Sequence, residues 1–307
     1  MPHNLIVILG PTASGKTRLA SRLAFDTGTE IISADSRQVY RGMNIGTGKD
    51  LNEYVVNGAT IKCYLIDILE PDEEFSVFEY QKRFFTCFAE ISARGRIPIM
   101  AGGTGLYIEA VLKGYQMPLV PENQKLRKEL ERDEMKTLVG RFLKLNPAAH
   151  NTTDLKDRTR LIRAIEIAEH IHTRGSDSAV SMPELVPLVI GTRWERPVLR
   201  RRITERLKER LANGMIEEVQ HLHDSGISWE RLEYFGLEYR YIGLYLKGII
   251  KYNDMFQKLN SQIHQFAKRQ ETWFRRMEKK GIMIHWLNND NYEEAQNLIN
   301  GNSQSLK

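Results

Sequence analysis

The chain has 307 residues, 41% hydrophobic and 27% charged, with a formal net charge of +5. This length supports a full core with one large domain and a smaller one, and the composition excludes a disordered or fibrous chain. No apolar run approaches a membrane span and the first residues lack a signal pattern, so no membrane partner and a cytoplasmic location are expected.

Leu5-Ile6-Val7-Ile8-Leu9 is a short apolar run of the kind that forms a buried parallel strand. Gly10-Pro11-Thr12-Ala13-Ser14-Gly15-Lys16-Thr17 follows and fits G-x-x-x-x-G-K-[ST] at every fixed position. From Arg18 to Phe25 a helix is predicted, with Leu19, Leu23 and Ala24 on one face. A strand entering a glycine turn that opens a helix aims several backbone N–H groups at one point, which suits a di- or triphosphate. Lys16 would reach the outer phosphates and Thr17 the Mg²⁺ that bridges them.

The run from Glu30 to Ala34 predicts a second strand, ending at Asp35-Ser36, and Lys62 to Asp67 a third. A helix from Val77 to Ala93 and a strand from Arg96 to Ala101 come next, then Gly102-Gly103-Thr104-Gly105 opens another helix. Such alternation predicts an α/β fold with a parallel sheet flanked by helices, of the P-loop nucleoside-triphosphate-hydrolase kind. Ligand groups then gather at the carboxyl ends of the strands, where Thr17, Asp35 and Thr104 fall. A carboxylate at a strand end, as at Asp35, suits a general base, whereas Asp67 reads as structural in a buried turn. Cys63 and Cys87 form no C-x-x-C and read as small buried apolar residues.

After Gly114 the texture changes. Residues 122–172 are highly charged and helical in period with a break at Asn146-Pro147, and Arg174 to Ser181 reads as a polar linker. A strand returns at Val186 to Gly191. Helices then dominate: Val198 to Leu211, Ile216 to Asp224, Glu238 to Leu246 and Asp254 to Lys280, with a short edge strand at His285 to Leu287. A helical block bracketed by strands reads as an insertion. The expected organisation is a core over 1–114, a helical insertion over 115–183, a return to the core with C-terminal helices over 184–287, and a mobile tail over 288–307.

Residues 193–210 carry eight basic groups against three acidic ones, and residues 268–280 six against two. Basic clusters accompanying a phosphate loop suggest a polyanionic partner, although each alone also fits a solvated helix face.

GPTASGKT, DSRQVYRGMNIGTGK, AGGTGLYIEAVLKG, RTRLIRAIE and AKRQETWFRR together resemble the tRNA dimethylallyltransferases, in family order over residues 5–287. The resemblance implies transfer of a dimethylallyl group from dimethylallyl diphosphate to N6 of adenine 37, beside the anticodon, with release of diphosphate. It implies that Gly10 to Thr17 and Arg202 hold the diphosphate, that Lys16 stabilises it as it leaves, and that Mg²⁺ sits on Thr17. Asp35 would orient the N6 amine and take its proton, with Thr104 hydrogen-bonded to the same nitrogen. The tRNA anticodon stem-loop would be contacted by Asp35, Ser36, Arg37, Gln38 and Thr104 in the core, and by Arg127, Thr159, Arg160 and Arg163 in the insertion. Tyr239, Arg240, Lys268, Arg269, Trp273 and Arg275 would complete that surface, with Trp273 equally readable as a core residue.

Two departures stand out. Where the family reads A-I-G-Y-R-Q, this chain has Gly236-Leu237-Glu238-Tyr239-Arg240-Tyr241, and Glu238 adds a negative charge. The lack of a zinc-finger extension points to a bacterial type, expected to be monomeric. A P-loop kinase, an adenylate isopentenyltransferase and a non-catalytic RNA-binding protein are the alternatives.

Overall fold

The structure is a computed structural model and describes residues 3–118, 120–147, 155, 157–174 and 182–301. The chain divides into two compact units, one of residues 1–114 with 183–307 and one of residues 115–182.

In the larger unit, β1 (Leu5–Leu9) is buried along its whole length. The phosphate-loop motif follows, and α1 (Lys16–Thr27) stops at Gly28, whose left-handed backbone lets its N–H reach the Ala24 and Phe25 carbonyls. Next come β2 (Ile31–Ala34), the hairpin strands β3 (Val55–Val56) and β4 (Ala59–Thr60), and β5 (Cys63–Tyr64). The run predicted as a strand over 62–67 is cut to two residues because Leu65 and Asp67 turn left-handed, at φ 62° and 53°. Then α2 (Val77–Ala93) starts at Ser76, whose side chain accepts the Glu79 N–H, and β6 (Ile99–Gly102) and α3 (Gly105–Leu112) follow. On α2, Tyr80 and Phe84 are fully buried, and Tyr80 stacks on Tyr107 of α3 at 4.0 Å. Each such side chain contributes roughly 1.5–3 kcal/mol by leaving water.

The smaller unit is helical: α4 (Gln124–Leu130), α5 (Met135–Leu145) and α6 (Arg158–Arg174). Its own core joins Leu126, Leu130, Leu138, Phe142, Leu161 and Ile165. Residues 175–181 of the polar linker lie outside the described residues.

The chain returns through β7 (Pro187–Arg193) and α7 (Arg196–Ala212), α8 (Met215–Asp224), α9 (Trp229–Phe235), α10 (Leu237–Leu246) and α11 (Tyr252–Lys279). These helices share a core that includes Leu199, Ile203, Met215, Phe235, Ile242 and Leu259. The last elements are β8 (His285–Asn288) and α12 (Tyr292–Ile299). Within the segment expected to be a tail, residues 288–301 thus include a helix, and residues 302–307 lie outside the described residues. Asn291 caps α12, and Ala295 and Ile299 enter the core beneath α1 and the sheet.

Six strands form one sheet in the order β5-β2-β6-β1-β7-β8, and every pair is parallel. Leu9 lies between Gly102 on one side and Gly191 on the other. The carboxyl ends of β1, β6 and β2 are consequently neighbours. Among the described residues, no helix is long and apolar enough to cross a membrane.

Candidate active site

The phosphate loop is shaped by its backbone and held by distant side chains. Ala13 and Gly15 take left-handed conformations, at φ 61° and 84°. The Ser14 hydroxyl accepts from Thr192 Oγ1 at 2.7 Å, and the Ser14 carbonyl accepts from Trp194 Nε1 at 2.9 Å. Arg202 donates its Nε–H to the Ala13 carbonyl at 2.9 Å while lying over the Trp194 ring. Arg206 donates to the Thr12 hydroxyl at 3.2 Å. The Thr12 and Ser14 hydroxyls are thus engaged within the protein, and Ser14 is fully buried.

A cleft of about 660 Å³ opens in front of this loop, lined by Ala13 to Arg18, by residues 44–45 and 49–53, and by the α7 residues Arg202, Arg206 and Arg210. The N-terminus of α1 opens on it, which favours an anion. Lys16 reaches the Pro11 carbonyl at 3.3 Å. Burial, and then Arg206, push its ammonium down to about 8 against the opposing pull of Asp35, Glu53 and Asp50. Arg206 pairs with Asp50, and burial raises the Glu53 carboxyl. Glu205 and Glu209 of α7 also line the cleft, so basic and acidic groups alternate around it, and the end that suits a diphosphate is the one formed by Lys16, Arg202 and the N-terminus of α1.

The loop over residues 44–49 is tied down from behind. Glu218 on α8 accepts the N–H groups of Asn44, Ile45 and Gly46 at 2.9, 2.6 and 2.9 Å. The fully buried Lys49 donates to the Tyr40 carbonyl at 2.6 Å and to Asn44 Oδ1 at 3.0 Å, and pairs with Asp67. Asp67 acts there as the counter-charge of a buried lysine, in the structural role read from the sequence.

Asp35 and Thr104 are not part of the cleft lining. They stand on the next strand ends, where the Thr104 N–H donates to the Ala34 carbonyl at 3.1 Å and its hydroxyl accepts the Ser36 N–H at 3.0 Å. Asp35 Oδ1 accepts the Arg37 N–H at 3.0 Å, leaving the other carboxylate oxygen for a second partner. Its charge is felt at Lys16, so the two strand ends share one electrostatic neighbourhood.

The residues expected to meet tRNA divide into exposed and internal ones. Lys268, Arg269, Arg275, Arg240, Thr159 and Arg160 are exposed. Arg37 lies 5.4 Å from the Tyr234 and Phe235 rings, and Tyr234 is 59% exposed. Tyr239 is buried, and its hydroxyl donates to Glu218 at 2.9 Å. Gln38 is buried too, with its amide donating to the Gly48 carbonyl at 3.0 Å. Trp273 is half-buried, packed against Gly105 with the Arg276 guanidinium 3.8 Å from its ring centre. Arg127 and Arg163 converge within the smaller unit on the buried Glu166. Burial alone would raise that carboxyl, but hydrogen bonds from Arg127, Asn123 and Arg163 hold it below its usual range.

Glu238, which departs from the family pattern, does not add charge to the surface. It turns inward and faces Arg210 at 3.4 Å, each partner largely buried. Burial raises Glu238 and lowers Arg210, and their mutual attraction opposes both shifts. At the end of α11, Arg276 and Lys280 are themselves exposed but pair with the fully buried Glu109.

The profile of the family described as IPP transferase matches residues 38–277. A protein named tRNA dimethylallyltransferase 1 from Syntrophus aciditrophicus (strain SB) is 59% identical over 305 residues, covering 99% of this chain and 100% of that one. The full-length tRNA isopentenylpyrophosphate transferase from Bacillus halodurans superposes with a TM-score of 0.68 at 32% identity, covering 97% of this chain and 96% of that chain. A eukaryotic dimethylallyltransferase acting on tRNA shares the fold, with a TM-score of 0.77 at 20% identity over 99% of this chain and 81% of that one. A match of this extent, on a chain whose phosphate loop and neighbouring strand ends carry the family's motifs, shows that the protein belongs to the IPP transferase family, among the tRNA dimethylallyltransferases.

Proposed function

We propose that this protein transfers a dimethylallyl group from dimethylallyl diphosphate to N6 of the adenine beside the anticodon of tRNA. The observation that carries the reading is the placement of the phosphate loop, the Thr104 loop and Asp35 at the ends of three adjacent parallel strands. Donor and acceptor groups can then meet across one short distance.

The diphosphate occupies the cleft, held by Lys16, Arg202 and the N-terminus of α1. The allylic C–O bond breaks with its electron pair passing to the diphosphate, whose growing charge Lys16 stabilises. N6 of adenine bonds to the freed carbon, and its proton passes to the Asp35 carboxylate. Thr104 fixes the amine, a poor nucleophile that depends on alignment for much of its rate. Among the described residues no three His, Cys, Asp or Glu side chains converge on one point. Thr17, which lines the cleft in the first turn of α1, would hold Mg²⁺ through its hydroxyl, and the ion would neutralise charge on the leaving group.

The adenine must leave its loop to reach the site. Arg37, Arg240, Lys268, Arg269 and Arg275 would hold the surrounding phosphates, with the insertion of residues 115–183 gripping the anticodon stem. The protein is proposed to act as a monomer in the cytoplasm. Incubation with unmodified tRNA and labelled dimethylallyl diphosphate, followed by nucleoside analysis, tests the reaction. Label on N6-modified adenosine is expected; label on free AMP, or turnover of ATP to ADP without the donor, would support an adenylate isopentenyltransferase or a kinase instead.

A further inference from the structure

Gln270 projects from α11 into the space between two of the three strand ends. It is 7% exposed, unlike its neighbours Lys268 and Arg269. Its Oε1 accepts the Thr12 N–H of the phosphate loop at 2.8 Å, and its Nε2 donates to the Gly103 carbonyl at 2.9 Å. Both ends of one amide are therefore used, one on each loop. Gly103 lies so close that a Cβ there would run into Gln270 Nε2.

We propose that Gln270 is a positioning residue that sets the spacing between the phosphate loop and the Thr104 loop, and so the alignment of donor carbon with acceptor nitrogen. On one side Thr12 lies between Pro11, whose carbonyl takes Lys16, and Ala13, whose carbonyl takes Arg202. On the other, Gly103 precedes Thr104, which is tied to Ala34 and Ser36 around Asp35. A shift of the amide would move both sets of groups relative to each other. The same bond occupies the Thr12 N–H, so that amide serves the protein's own spacing and not the diphosphate. Each half of the amide is specific: an acceptor is needed at Thr12 and a donor at Gly103.

The inference rests on the transfer reaction proposed above, so wild-type transfer is measured first; its absence overturns that reading and the inference with it. Gln270→Met keeps the volume and removes both hydrogen bonds, while Gln270→Glu keeps the acceptor and loses the donor. Each is made in the wild-type and in a Thr104→Val background, with folded fraction checked by circular dichroism. Misplacement of about 1 Å can cost on the order of 10²-fold in rate. With both substrates saturating, kcat should fall by roughly that factor in each folded variant, with the tRNA KM within about threefold of wild type. In the Thr104→Val background the same substitutions should cost less than about tenfold, because the loop they misplace no longer carries its hydroxyl. A kcat within about twofold of wild type, a loss confined to the tRNA KM, or equal losses in both backgrounds would each overturn the proposal.

Discussion

The Tyr239 hydroxyl donates to the Glu218 carboxylate at 2.9 Å, and that carboxylate also accepts the N–H groups of Asn44, Ile45 and Gly46. A tyrosine within a motif that the resemblance assigns to tRNA binding thus braces the donor cleft from inside the core. Tyr239→Phe should cost about 1 kcal/mol in a denaturant melt and leave tRNA affinity unchanged. Glu218→Ala leaves three backbone donors without their acceptor and should cost on the order of 3 kcal/mol while raising the donor KM. A large loss of tRNA affinity in Tyr239→Phe would return the residue to the RNA surface.

Lys16 carries a pH dependence. With its ammonium pushed down to about 8, it is charged below that pH and neutral above it. Donor kcat/KM, which reports the free enzyme, should therefore fall as pH rises through about 8. Lys16→Arg should move that limb to higher pH, since a guanidinium stays charged. An unmoved alkaline limb would assign it to another group.

Asp35→Asn keeps the shape of the strand end and removes the proton acceptor. Turnover should fall about 10²–10⁴-fold with tRNA binding retained, as measured by single-turnover transfer and by filter binding. Wild-type rates would remove Asp35 from the chemistry.

Around the end of α11 the salt dependence of tRNA binding separates charge that meets phosphates from charge engaged with Glu109. Neutralising the exposed Lys268, Arg275 and Lys279 together should flatten the plot of log affinity against log salt by up to roughly three units, without changing donor affinity. Arg276 and Lys280, engaged with buried Glu109, should instead show their loss as reduced stability. An unchanged slope in the triple variant would place the RNA elsewhere.

The strands of the sheet were legible because β1, β2 and β6 are buried on both faces and so appear as unbroken apolar runs. The phosphate loop was legible because its chemistry requires fixed residues at fixed spacing. Helix α12 was hidden by the asparagines around it, although Asn291 and Glu294 form a capping pattern and Ala295 and Ile299 stand four apart. Glu218 and Gln270 left no local signal at all, because their partners lie far along the chain and no periodicity reports such a pairing. Glu238 read as a surface charge for the same reason, its neutralising partner Arg210 lying on a different helix.

The phosphate loop spans residues 10–17, yet the groups that hold it lie far along the chain: Thr192 and Trp194 on Ser14, Arg202 on Ala13, and Gln270 on Thr12. Contacts so distant in sequence make folding slow. A chain that stops short of α11 would carry the whole Gly10 to Thr17 motif and still lack the Gln270 bond to the Thr12 N–H. Anion binding by this loop is therefore a property of the whole folded unit and not of the short motif that marks it in the sequence.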